Sequence, residues 1–498
     1  MKKETSGKGI SHFGGSLPVF NGYACGIDIG DTFHCVAVNN GKGGHEVLTV
    51  DAFTEDLDQI VAFLQARGVT SAAMESTGIY WLPLHLKLES ACIDCYLVNA
   101  KHVKNVTGRK KDDTDAIWLQ KLHPCGLLQK SFQPDSETRL LRTYVRQRHD
   151  LLRLNSDDVN RMQKALELMN IKVHTVISDI LGKSGWAIVK AILAGERDGA
   201  ALYALCDGRL KASREEMLKS LAGIWSDEYL FLRSQAVEAY EFRQGQIKAC
   251  EARIKAQLLK QAAIVQQGDI TGLGEAAVES VESVESVAAV AAVAAVQRPT
   301  TAVMFYQTGQ KKGQAKPVKG TQKVKALKKP KKNQFDASLS PYLKALTGVD
   351  LCKIPSIGEV TALALIAEIG TDMSKWQGEK RFAAWLNLVP NTKITGGKAI
   401  SNKMMKKKNK AGQCLKQAAS TLAKNKSPLG VYYRKMKAKS GGKGAVVATA
   451  HKLARIIYTM LSKKVEFNPA FMQDNQEKSK EEKIKKLQNQ IEKLKQAA

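Results

Sequence analysis

Four acidic residues are spaced so that their carboxylates could hold metal ions together. Asp28 lies inside a strand-like apolar run, Glu75 ends another such run, and Asp112 and Asp115 stand three residues apart at the start of a helical segment. Residues three apart on a helix share one face. Carboxylates brought together repel one another unless cations lie between them. Two Mg²⁺ ions, one for the attacking oxygen and one for the leaving oxygen of a phosphodiester, would meet that requirement.

The elements that must position these carboxylates follow from the pattern of apolar residues. Three strand-like runs joined by short gaps come first, and helical and strand-like segments then alternate. The predicted elements are strands Tyr23–Ile29, Phe33–Asn39 and Glu46–Phe53, helix Glu55–Gln65, strand Ala72–Glu75, helix Tyr80–Leu88, strand Cys95–Val98 and a helix from Asp112. This order predicts an α/β domain of the ribonuclease-H type over residues 22–130. In such a sheet the first and fourth strands run side by side at the centre.

A second interpretation of the first strand is a phosphate loop. Residues 28–32 also fit the pattern Asp-x-Gly-x-Thr, which is found in actin-like and sugar kinases that share this sheet topology. A kinase would need a second phosphate loop and an adenosine pocket in a repeated half, and the sequence contains neither. We therefore favour the metal site.

Composition and charge indicate a nucleic acid as the partner. The 498 residues are enough for two or three domains. The net charge of +28 comes entirely from residues 301–498, whereas residues 1–300 are close to neutral. The longest apolar run, Val287–Val296, is too short to span a bilayer. No secretory signal is visible, and the cysteines lack the spacing of a disulfide framework. These features predict a cytoplasmic protein without a membrane segment.

The middle of the chain is predicted to be helical. Over residues 131–265 a heptad pattern of mostly apolar residues predicts a coiled coil, with Arg148 and Asn155 as its two polar positions. The seam is Leu141, Val145, Arg148, Leu152, Asn155, Val159, Met162, Leu166 and Met169. We interpret it as a self-association arm; the alternative is a helix packed within its own chain.

Three further segments complete the predicted organisation. Residues 1–21 form a flexible tail, and residues 266–336 form a low-complexity insertion with Glu-Ser-Val repeats and a lysine-rich stretch. Residues 468–498 form an amphipathic tail helix. Between the insertion and the tail lies a mainly α-helical domain over residues 337–467.

The C-terminal domain carries the predicted nucleic-acid contacts. A Gly-containing turn at Ile354–Gly358 opens a helix that ends at Gly370, which is typical of a helix-hairpin-helix. Residues 401–450 hold 13 basic residues and no acidic one, and Tyr432 and Tyr433 could stack on bases. The candidate contacts, including two beside the carboxylates, are Arg109, Lys110, Lys398, Lys403, Lys406, Lys407, Lys408, Arg434 and Lys435.

Several segments resemble one family of transposases. The segments are Met74–Trp81, Leu97–Lys104, Gly108–Ala116, Thr347–Asp350, Ile354–Gly370 and Thr449–Arg455. They resemble insertion-sequence transposases with an Asp-Glu-Asp-Asp (DEDD) tetrad, which are relatives of the pilin-gene inverting recombinase and are guided by a bridge RNA. The resemblance covers residues 22–265 and 337–467.

The resemblance implies a RuvC-like domain, a coiled-coil region and a C-terminal transposase domain with a nucleophilic serine. Asp28, Glu75, Asp112 and Asp115 match the metal tetrad. The family cuts and rejoins DNA through a covalent protein–DNA intermediate, and its members act as tetramers with sites shared between subunits. The implied partners are DNA, a noncoding bridge RNA and further copies of the chain, as a dimer to tetramer, in association with the bacterial nucleoid.

The chain departs from the family at the nucleophile. Thr395 occupies the serine position within Pro390–Lys398. Threonine keeps a hydroxyl, but as a hindered secondary alcohol with a stiff χ1. We predict Thr395 as the nucleophile, with Ser401 as the alternative. Loss of strand transfer is the third possibility, which would leave a nucleic-acid-binding remnant or a RuvC-like metal-dependent nuclease.

Overall fold

The computed structural model describes residues 18–76, 78–99, 103, 114–270, 333–405, 409–469, 484 and 488. The chain divides into two compact units, residues 1–133 and 134–498. No helix among the described residues is both long enough and apolar enough to cross a membrane.

The first unit is a five-stranded mixed sheet with helices on both faces. Its elements are β1 (Ala24–Ile29), β2 (Phe33–Asn39), β3 (His45–Asp51), α1 (Thr54–Ala66), β4 (Ser71–Glu75), α2 (Trp81–Ser90), β5 (Asp94–Val98) and α3 (Asp115–Leu122). The strand order is β3-β2-β1-β4-β5. Strand β1 pairs antiparallel with β2 and parallel with β4. The predicted element order and the central β1–β4 pair are confirmed, and they fit a ribonuclease-H-like start.

Alternation along the strands separates two cores. Successive side chains of a strand point to opposite faces. Ile27 and Met74 face α1 and α2 in one apolar cluster, whereas Ala73 and Val98 face α3 in another. Both faces of the central strands are therefore covered by helices, which explains why the sequences of these strands are nearly continuous apolar runs.

The second unit is almost entirely helical. Its first half contains α4 (Ser136–Leu168), α5 (Lys183–Leu193), α6 (Gly199–Ala204), α7 (Arg214–Leu221) and α8 (Asp227–Ile270). Its second half contains α9 (Ser340–Thr347), α10 (Glu359–Ile369), α11 (Glu379–Trp385), β6 (Asn391–Thr395), β7 (Lys398–Lys403), α12 (Lys410–Thr421) and α13 (Pro428–Lys463). Short 3₁₀ turns at Val173–Thr175, Leu351–Lys353 and Leu422–Lys424 connect them.

The heptad seam of α4 packs against α8 of the same chain. Seam residue Arg148 pairs with Glu251 and donates to the carbonyl of Asn333, 2.8 Å away. Asp158 of α4 pairs with Arg243, so the two helices run antiparallel. The described residues thus show the second of the two predicted arrangements, a helix packed within its own chain. Self-association stays a prediction.

Several predicted features are not tested by the described residues. Residues 1–17 of the predicted tail, residues 271–332 of the predicted insertion and nearly all of the predicted tail helix lie outside them. Helix α10 does follow a turn with Ser356 at φ +80° and ends at Gly370, as expected from the sequence. The helix-hairpin-helix and the domain boundaries stay predictions.

Candidate active site

Asp28 and Glu75 lie side by side at the carboxyl ends of two neighbouring parallel strands. Ile27 of β1 is the register partner of Met74 of β4, so the next residues, Asp28 and Glu75, are also level with each other. Adjacent strands are about 4.8 Å apart. Ile27 and Met74 face α1 and α2. Both carboxylates therefore belong to the opposite face, the one that α3 covers.

Helix α3 reaches this face because β1 has a glycine beneath it. A Cβ atom at Gly26 would lie 2.2 Å from the carbonyl oxygen of Ala116 and 2.3 Å from the backbone nitrogen of Gln120. Any side chain at this position would push the helix away from the strand. Asp115 is the first residue of α3, and Thr114 caps the helix by accepting a hydrogen bond from the Ile117 amide at 3.3 Å. The start of the helix is thus fixed beside the strand that carries Asp28.

Of the four predicted metal ligands, Asp28 and Glu75 lie on the sheet face that α3 covers, and Asp115 is the first residue of α3. Asp112, Arg109 and Lys110 lie outside the described residues. In the described part of the chain, no three His, Cys, Asp or Glu side chains are grouped closely enough to hold a metal ion. Asp28, Glu75 and Asp115 each take part in a polar interaction. Their oxygen donors, without thiolate or imidazole, suit a hard cation such as Mg²⁺.

Thr395 lies at the end of an exposed β-hairpin. Strands β6 and β7 are joined by Gly396 and Gly397, with φ of +55° and +75°, as a two-residue hairpin turn requires. Thr395 is the strand residue directly opposite Lys398, and both are exposed. A hydroxyl at this tip is accessible to a substrate as large as DNA.

A register shift brings the second candidate hydroxyl to the same face of the hairpin. Strict alternation along β7 would place Ser401 and Lys398 on opposite faces. The irregularity between Lys393 and Ile394 inserts one extra residue on β7 and makes Ser401 the partner of Lys393. Since Lys393 and Thr395 are two residues apart on β6, Ser401 shares the face of Thr395. Ser401 is only partly exposed.

The predicted basic contacts have different environments. Lys398, Lys403 and Lys435 are exposed, and Lys406, Lys407 and Lys408 lie outside the described residues. Arg434 is exposed but donates to the carbonyls of Ala423 and Asn425, which ties α13 to the preceding turn.

One prediction in this region is wrong. Tyr433 was expected to be available for stacking on bases, but its ring is buried, with 6% of its surface exposed. Helical periodicity explains the difference, because Tyr433 lies on the face of α13 that also buries Leu429 and Gly430.

Charged contacts between α4 and α10 were not predicted. Arg146 binds both oxygens of Glu368 at 2.8 Å, and Arg142 donates to the Ala367 and Glu368 carbonyls. Burial lowers the pKa of Arg142 to about 10, and the Glu368 carboxylate opposes that shift. These contacts hold α10 against α4. They join residues more than 200 positions apart, so no local sequence signal reveals them.

Two segments of the chain match known family models. Residues 25–171 match a family model described as a transposase, DEDD_Tnp_IS110. Residues 350–434 match the model of the Transposase IS116/IS110/IS902 family. No curated protein matches the chain. The first match includes Asp28, Glu75 and Asp115, and the second includes the hairpin with Thr395. These two matches support an IS110-type DEDD transposase, an enzyme of DNA transposition.

Proposed function

We propose that this transposase cuts and rejoins DNA with Thr395 as its nucleophile and with two Mg²⁺ ions held by Asp28, Glu75, Asp112 and Asp115. The observation that supports this most strongly is the placement of Asp28 and Glu75. They are level on neighbouring strands, on the face where α3 begins with Asp115. Carboxylates placed so close are stabilised by a shared divalent cation.

The reaction follows from the groups that the chain supplies. The Thr395 Oγ1 forms a bond to a DNA phosphorus, and one deoxyribose oxygen leaves with the electrons of the bond that breaks. The threonine proton is lost and the leaving oxygen gains a proton, so the products are a threonine phosphodiester and a free DNA hydroxyl. Attack by a DNA hydroxyl on that ester reverses the step and rejoins the strand. Bound metal ions would polarise the phosphate and stabilise the leaving oxygen.

Lys398 is the residue best placed to assist Thr395. It is the cross-strand partner of Thr395 at the closing pair of the hairpin, where side chains of partner residues lie about 5 Å apart. Its ammonium group can contact a phosphate oxygen while the hydroxyl attacks phosphorus.

We infer two further partners from the family resemblance and the charge. A noncoding bridge RNA would guide the enzyme, and further copies of the chain would complete a dimer or tetramer. The strong positive charge of residues 301–498 supports a polyanionic partner. The alternative is a remnant or a nuclease without strand transfer. It is favoured by one observation, the threonine at the serine position.

Replacing one metal ligand tests the proposal. Asp28→Asn should reduce Mg²⁺-dependent cleavage of element-end DNA by more than about 100-fold, because the ligand charge is lost. DNA binding in EDTA and the melting temperature should not change. Asp31→Asn, an exposed carboxylate three residues away, is the matched control. Equal activity of the two variants would contradict a metal site at Asp28.

A further inference from the structure

Three ionisable side chains are clustered on the second half of α13. His451, Lys452 and Arg455 occupy neighbouring positions of one helix and are all partly buried. They belong to the segment Thr449–Arg455, which resembles the family but has no assigned role. The predicted nucleic-acid contacts do not include them.

A break in α13 completes the surroundings of this cluster. Gly441 has φ +71° and ψ 177°, which interrupts the helix. In a straight helix Tyr432 and Arg455 would be about 35 Å apart. Instead the charge of Arg455 acts on the Tyr432 phenol, so the two halves of α13 lie close together here. Glu379, the first residue of α11, supplies the neighbouring carboxylate and pairs with Arg455.

The cluster has more positive charge than its one carboxylate neutralises. Glu379 faces both Lys452 and Arg455, with the His451 imidazole beside them. Burial, reinforced by the Arg455 charge, lowers the pKa of Lys452 and the pKa of His451. The Nε of Arg455 is buried and has no hydrogen-bond acceptor among the described residues. A partly buried cationic group with an unused donor is stabilised by an anion.

We propose that His451, Lys452 and Arg455 form a phosphate-binding site that holds one backbone phosphodiester of a nucleic acid. The Arg455 side chain is 42% exposed and its guanidinium donates to one phosphate oxygen, while the Lys452 ammonium and the His451 imidazole contact the others. Glu379 keeps the Arg455 side chain in place. The ion pair alone would leave Lys452 and His451 without a function. The inference rests on the proposed function, because it assumes that nucleic acid binds the C-terminal domain.

Salt dependence of binding tests this site. Each lost phosphate contact reduces the slope of log affinity against log salt by about 0.9 for duplex DNA and about 0.7 for single strands. Lys452→Gln should show that reduction, measured by fluorescence anisotropy with element-end duplex DNA and with the element's noncoding RNA as separate probes. The probe whose slope changes identifies the source of the phosphate. The matched control is Lys463→Gln, an exposed lysine at the end of the same helix.

The outcomes separate the inference from the proposed function. If the native chain binds both probes without salt dependence, both ideas fail. If the native chain binds with a steep slope and Lys452→Gln matches Lys463→Gln on both probes, the phosphate site alone is overturned. Lys452→Arg should restore the native slope, because it keeps the charge. A slope that stays reduced in Lys452→Arg would show that packing rather than charge was lost, and would also overturn the site.

Discussion

Thr395 closes the β6–β7 hairpin, and its hydroxyl lies on the face that also carries Ser401. The sequence identified both hydroxyls by type and by resemblance. It could not show the register shift that turns Ser401 to the same face, because a bulge depends on how two strands pair. Of the two, Thr395 is the more exposed and lies directly opposite Lys398. Its position therefore supports it as the nucleophile.

His123 gives the first unit a stability that depends on pH. The imidazole is buried and its Nε2 lies 2.7 Å from the Ser71 hydroxyl. Burial, with a smaller effect of Lys130, lowers its pKa to about 4 from the ordinary 6.5, against the opposing effect of Asp94. Below pH 6.5 the unfolded chain takes up a proton that the folded chain does not. The contribution of His123 to the free energy of unfolding is therefore fully present above pH 6.5 and is lost as the pH falls towards 4.

The expected loss from His123 is about 3 kcal/mol between pH 7 and pH 4. His123→Gln should remove this part of the pH dependence, measured by urea denaturation of the full chain at several pH values. The exposed His149→Gln serves as the control and should keep the native dependence. If His123→Gln and the native chain lose stability equally, the buried imidazole is not the cause.

At the scale of elements, the close contact between β1 and α3 fixes the start of the helix beside the strand that carries Asp28. Gly26→Ala would place a methyl group within van der Waals distance of the α3 backbone. We expect a destabilisation of about 1–3 kcal/mol or more, and a loss of metal-dependent cleavage, because Asp115 moves with the helix. Melting temperature and cleavage rate measure the two effects. Gly22→Ala, where nothing lies within 4 Å, should change neither.

A Gly26→Ala variant with unchanged melting temperature and cleavage rate would contradict the role of this contact.

The sequence predicted every strand of the first unit, because hairpin gaps and apolar periodicity are local signals. It did not predict the role of Gly26, whose neighbours Ala116 and Gln120 are about 90 positions away. Close backbone contacts between distant elements leave no periodic signal.

Helix α4 is a second case in which the sequence did not predict a contact between distant elements. The heptad pattern identified which face is buried, and Leu141, Met162 and Leu166 are indeed buried. A periodic pattern does not say what covers that face. Here α8 of the same chain does so, and polar position Arg148 binds Glu251 of that helix. Polar seam residues can thus fix the pairing of two helices within one chain.

At the scale of the whole second unit, Glu368 connects the C-terminal helices to α4. Its side chain is only 12% exposed and forms ion pairs with both Arg146 and Arg142. Glu368→Gln would leave two partly buried guanidinium groups without their carboxylate. We expect a destabilisation of about 3 kcal/mol, seen as a lower melting temperature. Glu238→Gln, on an exposed face of α8, is the control. Equal melting temperatures for the two variants would show that this ion pair does not stabilise the unit.

The distribution of charge over the whole chain was predictable, but the use of each charge was not. The excess of lysine and arginine after residue 300 indicates a polyanionic partner. Arg434, however, binds backbone carbonyls, and Lys452 lies in a partly buried cluster outside the most lysine-rich stretch. Composition gives the sign of the partner's charge, whereas tertiary contacts decide which residues can reach it.

Trapping the covalent protein–DNA adduct tests the central claim most directly. The chain is incubated with Mg²⁺, the element's noncoding RNA and element-end DNA, denatured, and examined for protein-linked DNA. We predict an adduct with the native chain and with Ser401→Ala, no adduct with Thr395→Ala, and a faster adduct with Thr395→Ser, whose primary alcohol is less hindered. An adduct that persists in Thr395→Ala would contradict Thr395 as the nucleophile. An adduct formed by Thr395→Ser but never by the native chain would contradict the activity of this transposase.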